Sequence, residues 1–137
     1  MTAKLSERAH AFLHEVRFAV LGTINQDGTP QLTTMWYLLE DDTLVMNTKV
    51  GRAKERNMRR DPRISVCVAE DYNYVTLSGG VEMIDDPKIA QHDIYRLSAR
   101  YHGDEKARRQ MQEQFSKEQR VTLHLKPEHI IEHFEND

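Results

Sequence analysis

Several features that are typical of common protein classes are absent or scarce in this sequence. Its 137 residues include a single cysteine, Cys67, so no internal disulfide can form and nothing indicates an oxidising compartment. No apolar run is long enough to span a bilayer, and the first residues lack the apolar stretch of a secretory signal. We therefore expect a cytoplasmic protein without a membrane partner.

The chain also lacks the short motifs of common nucleotide-binding and hydrolytic sites. It has no G-x-x-x-x-G-K-[ST] loop, no G-x-G-x-x-G fingerprint and no serine nucleophile elbow. Its seven histidines are scattered, without a cysteine partner or an H-E-x-x-H run, so we expect no metal site. A P-loop and a Rossmann domain are excluded.

What the chain does have is a concentrated cluster of positive charge. Residues 49–63 hold seven of the nineteen basic residues and two acids, a local balance of +5 in a chain with a formal net charge of −3. A general polyanion binder is basic overall, so the pattern favours a specific anionic ligand. A nucleic-acid-binding module is the weakest alternative, because no aromatic residues are interleaved with the basic ones.

Hydrophobic periodicity predicts a mainly β protein with helices at its periphery. Apolar alternation and turn signals predict strands over 16–24, 31–39, 43–48, 64–69, 74–84 and 121–125, with 129–134 continuing the last one. Helices are predicted over 6–15, over 51–60 and twice more between Asp86 and Phe115. About six antiparallel strands with inserted helices are typical of a small β-barrel, here a single domain over residues 1–137.

Within the basic segment, the start of the predicted helix is the candidate binding site. Arg52 and Lys54 are two residues apart, so they converge on one ligand only if they straddle the helix start. Backbone N–H groups and the helix dipole favour a phosphate there, and Thr48 and Asn47 add a hydroxyl and an amide upstream. The alternative is a solvated basic helix, which suits three further cations, Arg59, Arg60 and Arg63.

The second predicted strand is the other candidate for ligand contact. Alternate residues face opposite ways, so Thr33, Met35 and Tyr37 share one side, and Thr34 and Trp36 the other. An aromatic ring beside hydroxyls suits a planar, partly polar ligand. Taken alone, the strand pattern favours a position for the only tryptophan in the core or in an oligomer interface.

These residues resemble a known family. Residues 19–24, 27–31, 36–37 and 51–63 are similar to the pyridoxamine-phosphate-oxidase-like flavin/deazaflavin oxidoreductases, and most of all to the small enzymes assigned to coenzyme F420, a deazaflavin. The resemblance covers most of the chain. Its most specific part lies within residues 51–63, where Gly51-Arg52-Ala53-Lys54 is followed by Asn57 and then by Arg59-Arg60-Asp61-Pro62-Arg63.

The resemblance implies a split β-barrel homodimer of the FMN-binding-like, Greek-key type, with two cofactor sites in the dimer interface. It implies that Arg52 and Lys54 bind the cofactor's phosphate, with Asn47, Thr48 and Lys49 beside them. The second strand, around Gln31, Thr33 and Trp36, is expected to run along the flavin-type ring. The region from Tyr72 to Leu77 of the partner subunit is expected to close the site.

The implied activity is transfer of a hydride to or from a small conjugated organic substrate, with coenzyme F420 as the favoured cofactor and FMN as the alternative. The alternative function is an FMN-dependent oxidoreductase, carrier or sensor of the same family. No side chain stands out as a catalytic acid or base, and Tyr37, Tyr72 and Tyr74 are candidates only if they lie near the ring. The vitamin B6 oxidase ending Arg-Leu-x-Pro is missing, and the ending Glu135-Asn136-Asp137 is acidic, so pyridoxamine-phosphate oxidation is not expected.

Overall fold

The computed structural model describes residues 2–135, so Asn136 and Asp137 of the acidic ending lie outside the described residues. The strands, β1 to β8 in chain order, are Ala19–Ile24, Pro30–Met35, Leu38–Glu40, Thr43–Lys49, Arg63–Glu70, Asn73–Ile84, Arg120–Leu125 and His129–His133. The helices, α1 to α4, are Glu7–His14, Ala53–Arg60, Pro87–His102 and Asp104–Glu113, and a 3₁₀ turn follows at Phe115–Lys117. Within residues 2–135 no helix has the length and apolar character needed to cross a membrane.

One curled antiparallel sheet contains all of these strands. Its order is β2-β1-β5-β6-β7-β4-β3, and β8 pairs with β6. The long strand β6 joins the two halves, because it pairs with β5 up to Gly80 and with β7 from Val81 onward. A Cβ added at Gly79 would lie 3.3 Å from the Lys126 carbonyl oxygen, so the glycine permits a close backbone approach at this point of β6. The predicted fold class, a split β-barrel with peripheral helices, is confirmed.

The strands differ from the prediction at three places, two of which change their number. The predicted strand 31–39 breaks at Trp36 and Tyr37, and its two parts pair with β1 and β4 in opposite halves of the sheet. Residues 16–18 precede β1 and are not a strand. The prediction that 129–134 continue β7 was wrong, because this segment turns back and pairs with β6. The barrel therefore has eight strands where about six were expected.

The break between β2 and β3 is held by side chains of α3 and not by a neighbouring strand. The Tyr37 backbone N–H donates to the Tyr101 hydroxyl at 3.1 Å, and the Tyr37 carbonyl accepts from Arg100 at 2.8 Å. Arg100 also donates to three carbonyls at the end of α1, those of Leu13, His14 and Glu15. The fully buried Tyr37 hydroxyl donates to Leu13 at 2.8 Å, which fixes α1 against the point where the chain crosses.

Tyr37→Phe is expected to lower the free energy of unfolding by about 1 kcal/mol, because it removes one buried hydrogen bond to a carbonyl that Arg100 still satisfies. Denaturant unfolding of the two proteins measures the difference. The matched control is Tyr72→Phe, since Tyr72 is 74% exposed and should change stability by less than about 0.5 kcal/mol. Equal effects of the two changes would contradict the assigned role of the Tyr37 hydroxyl.

Candidate functional site

The connection from β4 to α2 presents the helix start to a cleft. Gly51 has φ of +100°, a conformation that L side chains rarely adopt, and it turns the chain directly after β4. Glu55 accepts the Gly51 N–H at 2.9 Å, while the N-cap residue Arg52 provides no side-chain cap. Arg52 therefore precedes the first turn and Lys54 lies within it, so the two residues straddle the helix start as the sequence predicted.

The cleft has a volume of about 360 Å³ and is lined by two groups of residues. The polar group consists of Asn47, Thr48, Arg52, Lys54 and Arg120, together with the uncharged Thr34, Gln110 and Gln114. The apolar and aromatic group consists of Phe18, Met35, Trp36, Ile94, Leu97 and Phe115. Trp36 is half-buried and stacks on Tyr101 at 5.5 Å between ring centroids. The lining thus combines a cationic part with a wall able to accept a planar ring.

Lys54 is a buried cation without an acidic partner. It is 8% exposed, and its Nζ lies 3.4 Å from the Thr33 hydroxyl and 3.3 Å from the Met35 sulfur. Burial lowers the pKa of Lys54 below its ordinary 10.5, and the charges of Arg52 and Arg120 lower it further. No carboxylate within residues 2–135 forms an ion pair with it, so an anion entering the cleft would relieve this cost.

Arg52 is likewise open to a ligand, in contrast to other cations of the same segment. Its exposed side chain forms no hydrogen bond or ion pair with any other described residue. Arg59, by contrast, pairs with Glu55 at 2.8 Å. Arg63 bonds Asp61 and lowers the pKa of that carboxyl to about 2. The two acids of the segment therefore pair with Arg59 and Arg63, and neither forms an ion pair with Arg52 or Lys54.

Thr48 carries the observation that best indicates a missing partner. The residue is 2% exposed and lines the cleft. Its Oγ1 is buried and has no hydrogen-bond partner, and it is the only such side-chain nitrogen or oxygen found in the described part of the chain. Buried hydroxyls are almost always hydrogen-bonded, so an unpaired one at this position fits a site completed by a ligand.

Asn47 lies at the cleft, but its amide is already used within the protein. Its Nδ2 donates to the Ala90 carbonyl at 2.9 Å, and its Oδ1 accepts from Arg120 Nε at 2.8 Å.

Arg120 was missed by the sequence reasoning. It begins β7, far along the chain from the basic segment, and it reaches the cleft only because β7 pairs with β4. No local sequence pattern signals this contact.

Three other predicted residues occupy different surroundings. Gln31 lies outside the cleft lining, and its side-chain oxygen accepts from Asn57 at 3.2 Å. Thr33 borders the cleft only through its contact with Lys54. Lys49 is exposed, and its Nζ lies 3.8 Å from a Glu118 carboxylate oxygen. The structure therefore groups Trp36, Asn47, Thr48, Arg52 and Lys54, with Thr33 at the margin.

The three tyrosines considered as proton donors do not line this cleft. The Tyr37 hydroxyl is buried and bonded to Leu13. Tyr72 lies in the turn between β5 and β6, and Tyr74 lies near the start of β6, where its ring stacks on His133. Within one chain, none of the three is placed to transfer a proton in the cleft.

Comparisons with known proteins agree with the fold. A family model described as pyridoxamine 5'-phosphate oxidase matches residues 5–134. The conserved hypothetical protein Rv2991 from Mycobacterium tuberculosis is 28% identical with a TM-score of 0.76, and the match covers 92% of this chain and 82% of that chain. A structure named F420 reductase is 25% identical with a TM-score of 0.75, covering 93% and 98%. The haem storage protein HutZ from Vibrio cholerae, 16% identical with a TM-score of 0.71 and 95% of both chains covered, shares the fold alone.

Thr48→Val is expected to leave the free energy of unfolding unchanged or to raise it, because the substitution removes a buried hydroxyl that has no partner. The matched control is Thr122→Val on the adjacent strand, where the hydroxyl donates to Asp93 at 2.8 Å. This control should lose about 1–3 kcal/mol, since a buried carboxylate loses a donor. Denaturant unfolding compares the two, and an equal loss in both would mean that Thr48 has a structural partner.

Proposed function

Because the chain belongs to the pyridoxamine 5'-phosphate oxidase family, we propose that it is an oxidoreductase with a flavin-type cofactor in the cleft. The favoured cofactor is the deazaflavin coenzyme F420, and FMN is the alternative. The reaction is transfer of a hydride to or from a small conjugated organic molecule. The observation that carries this proposal is a helix start where Arg52 and Lys54 lack acidic partners beside the unpaired hydroxyl of Thr48.

The residues present fit a phosphate group. Arg52 offers a guanidinium fork, Lys54 a point charge and Thr48 a hydroxyl, and the first turn of α2 adds free backbone N–H groups. The aromatic wall around Trp36 suits the flat ring of the same molecule. When bound, the cofactor supplies the hydride chemistry, while these residues bind it, orient it and exclude water. The similarity to the structure named F420 reductase supports the deazaflavin over FMN.

We also propose that a homodimer completes the cleft. One row of outward-facing residues crosses four neighbouring strands and β8, and it consists of Thr34, Val20, Cys67, Thr76 and Ile131. Thr34 lines the cleft, while Val20 and Ile131 are 40% and 58% exposed. Leu32 on the same face is 66% exposed. An apolar face of this kind is typical of an interface, and a second copy lying on it would bring its segment 72–77 to the cleft.

Ile131→Glu is expected to give a monomer with weakened cofactor binding, because it places a charge in the proposed interface without disturbing the core of one chain. Sedimentation velocity measures the oligomeric state. The matched control is Ile89→Glu, which changes a 42% exposed isoleucine on α3 and should remain dimeric. A monomeric wild-type protein at micromolar concentration would contradict the proposed dimer.

Spectral titration of the purified protein with F420 and with FMN tests the proposed function. We expect binding of a cofactor at micromolar concentration, with F420 the tighter of the two. Lys54→Ala should weaken this binding by roughly 1–3 kcal/mol, as expected for a lost charge-assisted contact. Absence of binding by either cofactor would contradict the oxidoreductase proposal, whereas bound FMN without turnover over a broad acceptor panel would favour the carrier or sensor.

Two control variants show whether a change in cofactor affinity arises from the charge of Lys54 itself. Arg63→Gln removes one positive charge at an exposed site and should leave the affinity within about twofold. Lys54→Arg tests whether loss of the lysine ammonium proton changes the affinity for the cofactor. Since burial lowers the pKa of Lys54, wild-type affinity should fall as the pH rises toward the ordinary lysine value of 10.5, because the ammonium is lost in the free protein. The arginine variant stays charged, so its affinity should lack this fall.

A further inference from the structure

We propose that Arg120 is a third ligand-binding cation of this cleft, whose free Nη2 group completes the anion site begun by Arg52 and Lys54. The identity of the anion as a cofactor's phosphate rests on the proposed function, whereas the contact itself requires only an anion in the cleft. Neither the basic segment nor the family resemblance pointed to this residue, which lies at the start of β7.

The guanidinium of Arg120 has one unused edge. Its Nε donates to Asn47 Oδ1 at 2.8 Å, and its Nη1 bonds Glu118 at 2.6 Å. Its Nη2 forms no hydrogen bond with any residue in the range 2–135, although the residue as a whole is only 9% exposed. Because Arg120 lines the cleft, the unused donor is available to a ligand there.

Arg120 is held rigidly in this position. Asn47 is itself bonded to the Ala90 carbonyl of α3, so the amide that receives Nε has little freedom. On another side, the Phe115 ring centroid lies 5.0 Å from the Arg120 Cζ atom. A planar guanidinium fixed at Nε and Nη1 presents its remaining N–H groups without further loss of side-chain entropy on binding.

The charges around Arg120 also favour an anion. Glu118 is the carboxylate that pairs with it, and the same Glu118 side chain lies near Lys49. Arg52 and Lys54 add two charges that no acid in the described part of the chain neutralises. Burial lowers the pKa of Arg120, and the charge of Arg52 lowers it further, against the opposing effect of Glu118. A buried cation in positive surroundings is stabilised by a bound anion.

The alternative is that Arg120 and Glu118 form an ion pair with a purely structural role. The two interpretations predict different effects of Glu118→Gln on anion affinity. If Nη2 binds the ligand, removing the competing carboxylate leaves more of the positive charge for the anion, and affinity rises. If the pair is only structural, the same change loosens Arg120 and gives no gain in anion affinity.

The test measures the affinity of the apo protein for inorganic phosphate by calorimetry, and the affinity for F420 and FMN by spectral titration. Arg120→Gln should weaken phosphate binding by about tenfold or more, the loss expected for a charge-assisted hydrogen bond. Glu118→Gln should strengthen it. Arg63→Gln, which removes one exposed charge outside the cleft, should leave it within about twofold.

The outcomes separate this inference from the proposed function. Wild-type phosphate affinity in Arg120→Gln, or unchanged or weaker phosphate binding in Glu118→Gln, would overturn the role of Arg120 even if a cofactor binds. Phosphate binding that depends on Arg120 in a protein that binds neither cofactor would support the inference and contradict the proposed function. If Arg120→Gln fails to fold, Glu118→Gln decides the question, because it leaves Arg120 in place.

Discussion

The antiparallel pairing of β4 with β7 is the constraint on which the cleft depends. This register sets Asn47 opposite Thr122, Thr48 opposite Val121 and Lys49 opposite Arg120. One end of the ladder therefore collects an amide, an unpaired hydroxyl and a buried guanidinium. Immediately beyond β4, the positive φ of Gly51 turns the chain so that α2 begins beside the same residues. Asn47 and Arg120 lie on the same side of this ladder, and a shift of one residue would send them to opposite sides.

The positions of the acidic side chains explain why a chain with a net negative charge has cations without acidic partners in its cleft. At the far end of the basic segment, Arg59 and Arg63 are paired with nearby carboxylates. At the near end, the polar lining of the cleft has Glu118 as its acidic neighbour, and Arg52 and Lys54 are left without one. The protein bears the cost of burying Lys54 and leaving Thr48 unpaired, and an anion bound in the cleft would relieve both.

Sequence reasoning succeeded where the controlling interactions are local. The end of β4, the turn at Gly51 and the start of α2 follow from neighbouring residues, so the convergence of Arg52 and Lys54 was predictable. The split of the second strand was not, because it depends on Arg100 and Tyr101 of a distant helix. Arg120 was missed for the same reason, since long-range strand register brings it to the cleft and local pattern does not. Gln31 was expected along the ring, but its side chain is held outside the cleft lining by Asn57.

The central claim is that the phosphate of a flavin-type cofactor lies at the start of α2. A crystal structure of the protein with F420 or FMN bound tests it most directly, through the position of the phosphorus atom. The account predicts phosphate oxygens within hydrogen-bonding distance of Lys54 Nζ and the Arg52 guanidinium, with the ring beside Trp36. A phosphate bound elsewhere, for example in the groove between Ser65 and Gly79 on the outer face of the sheet, would contradict it.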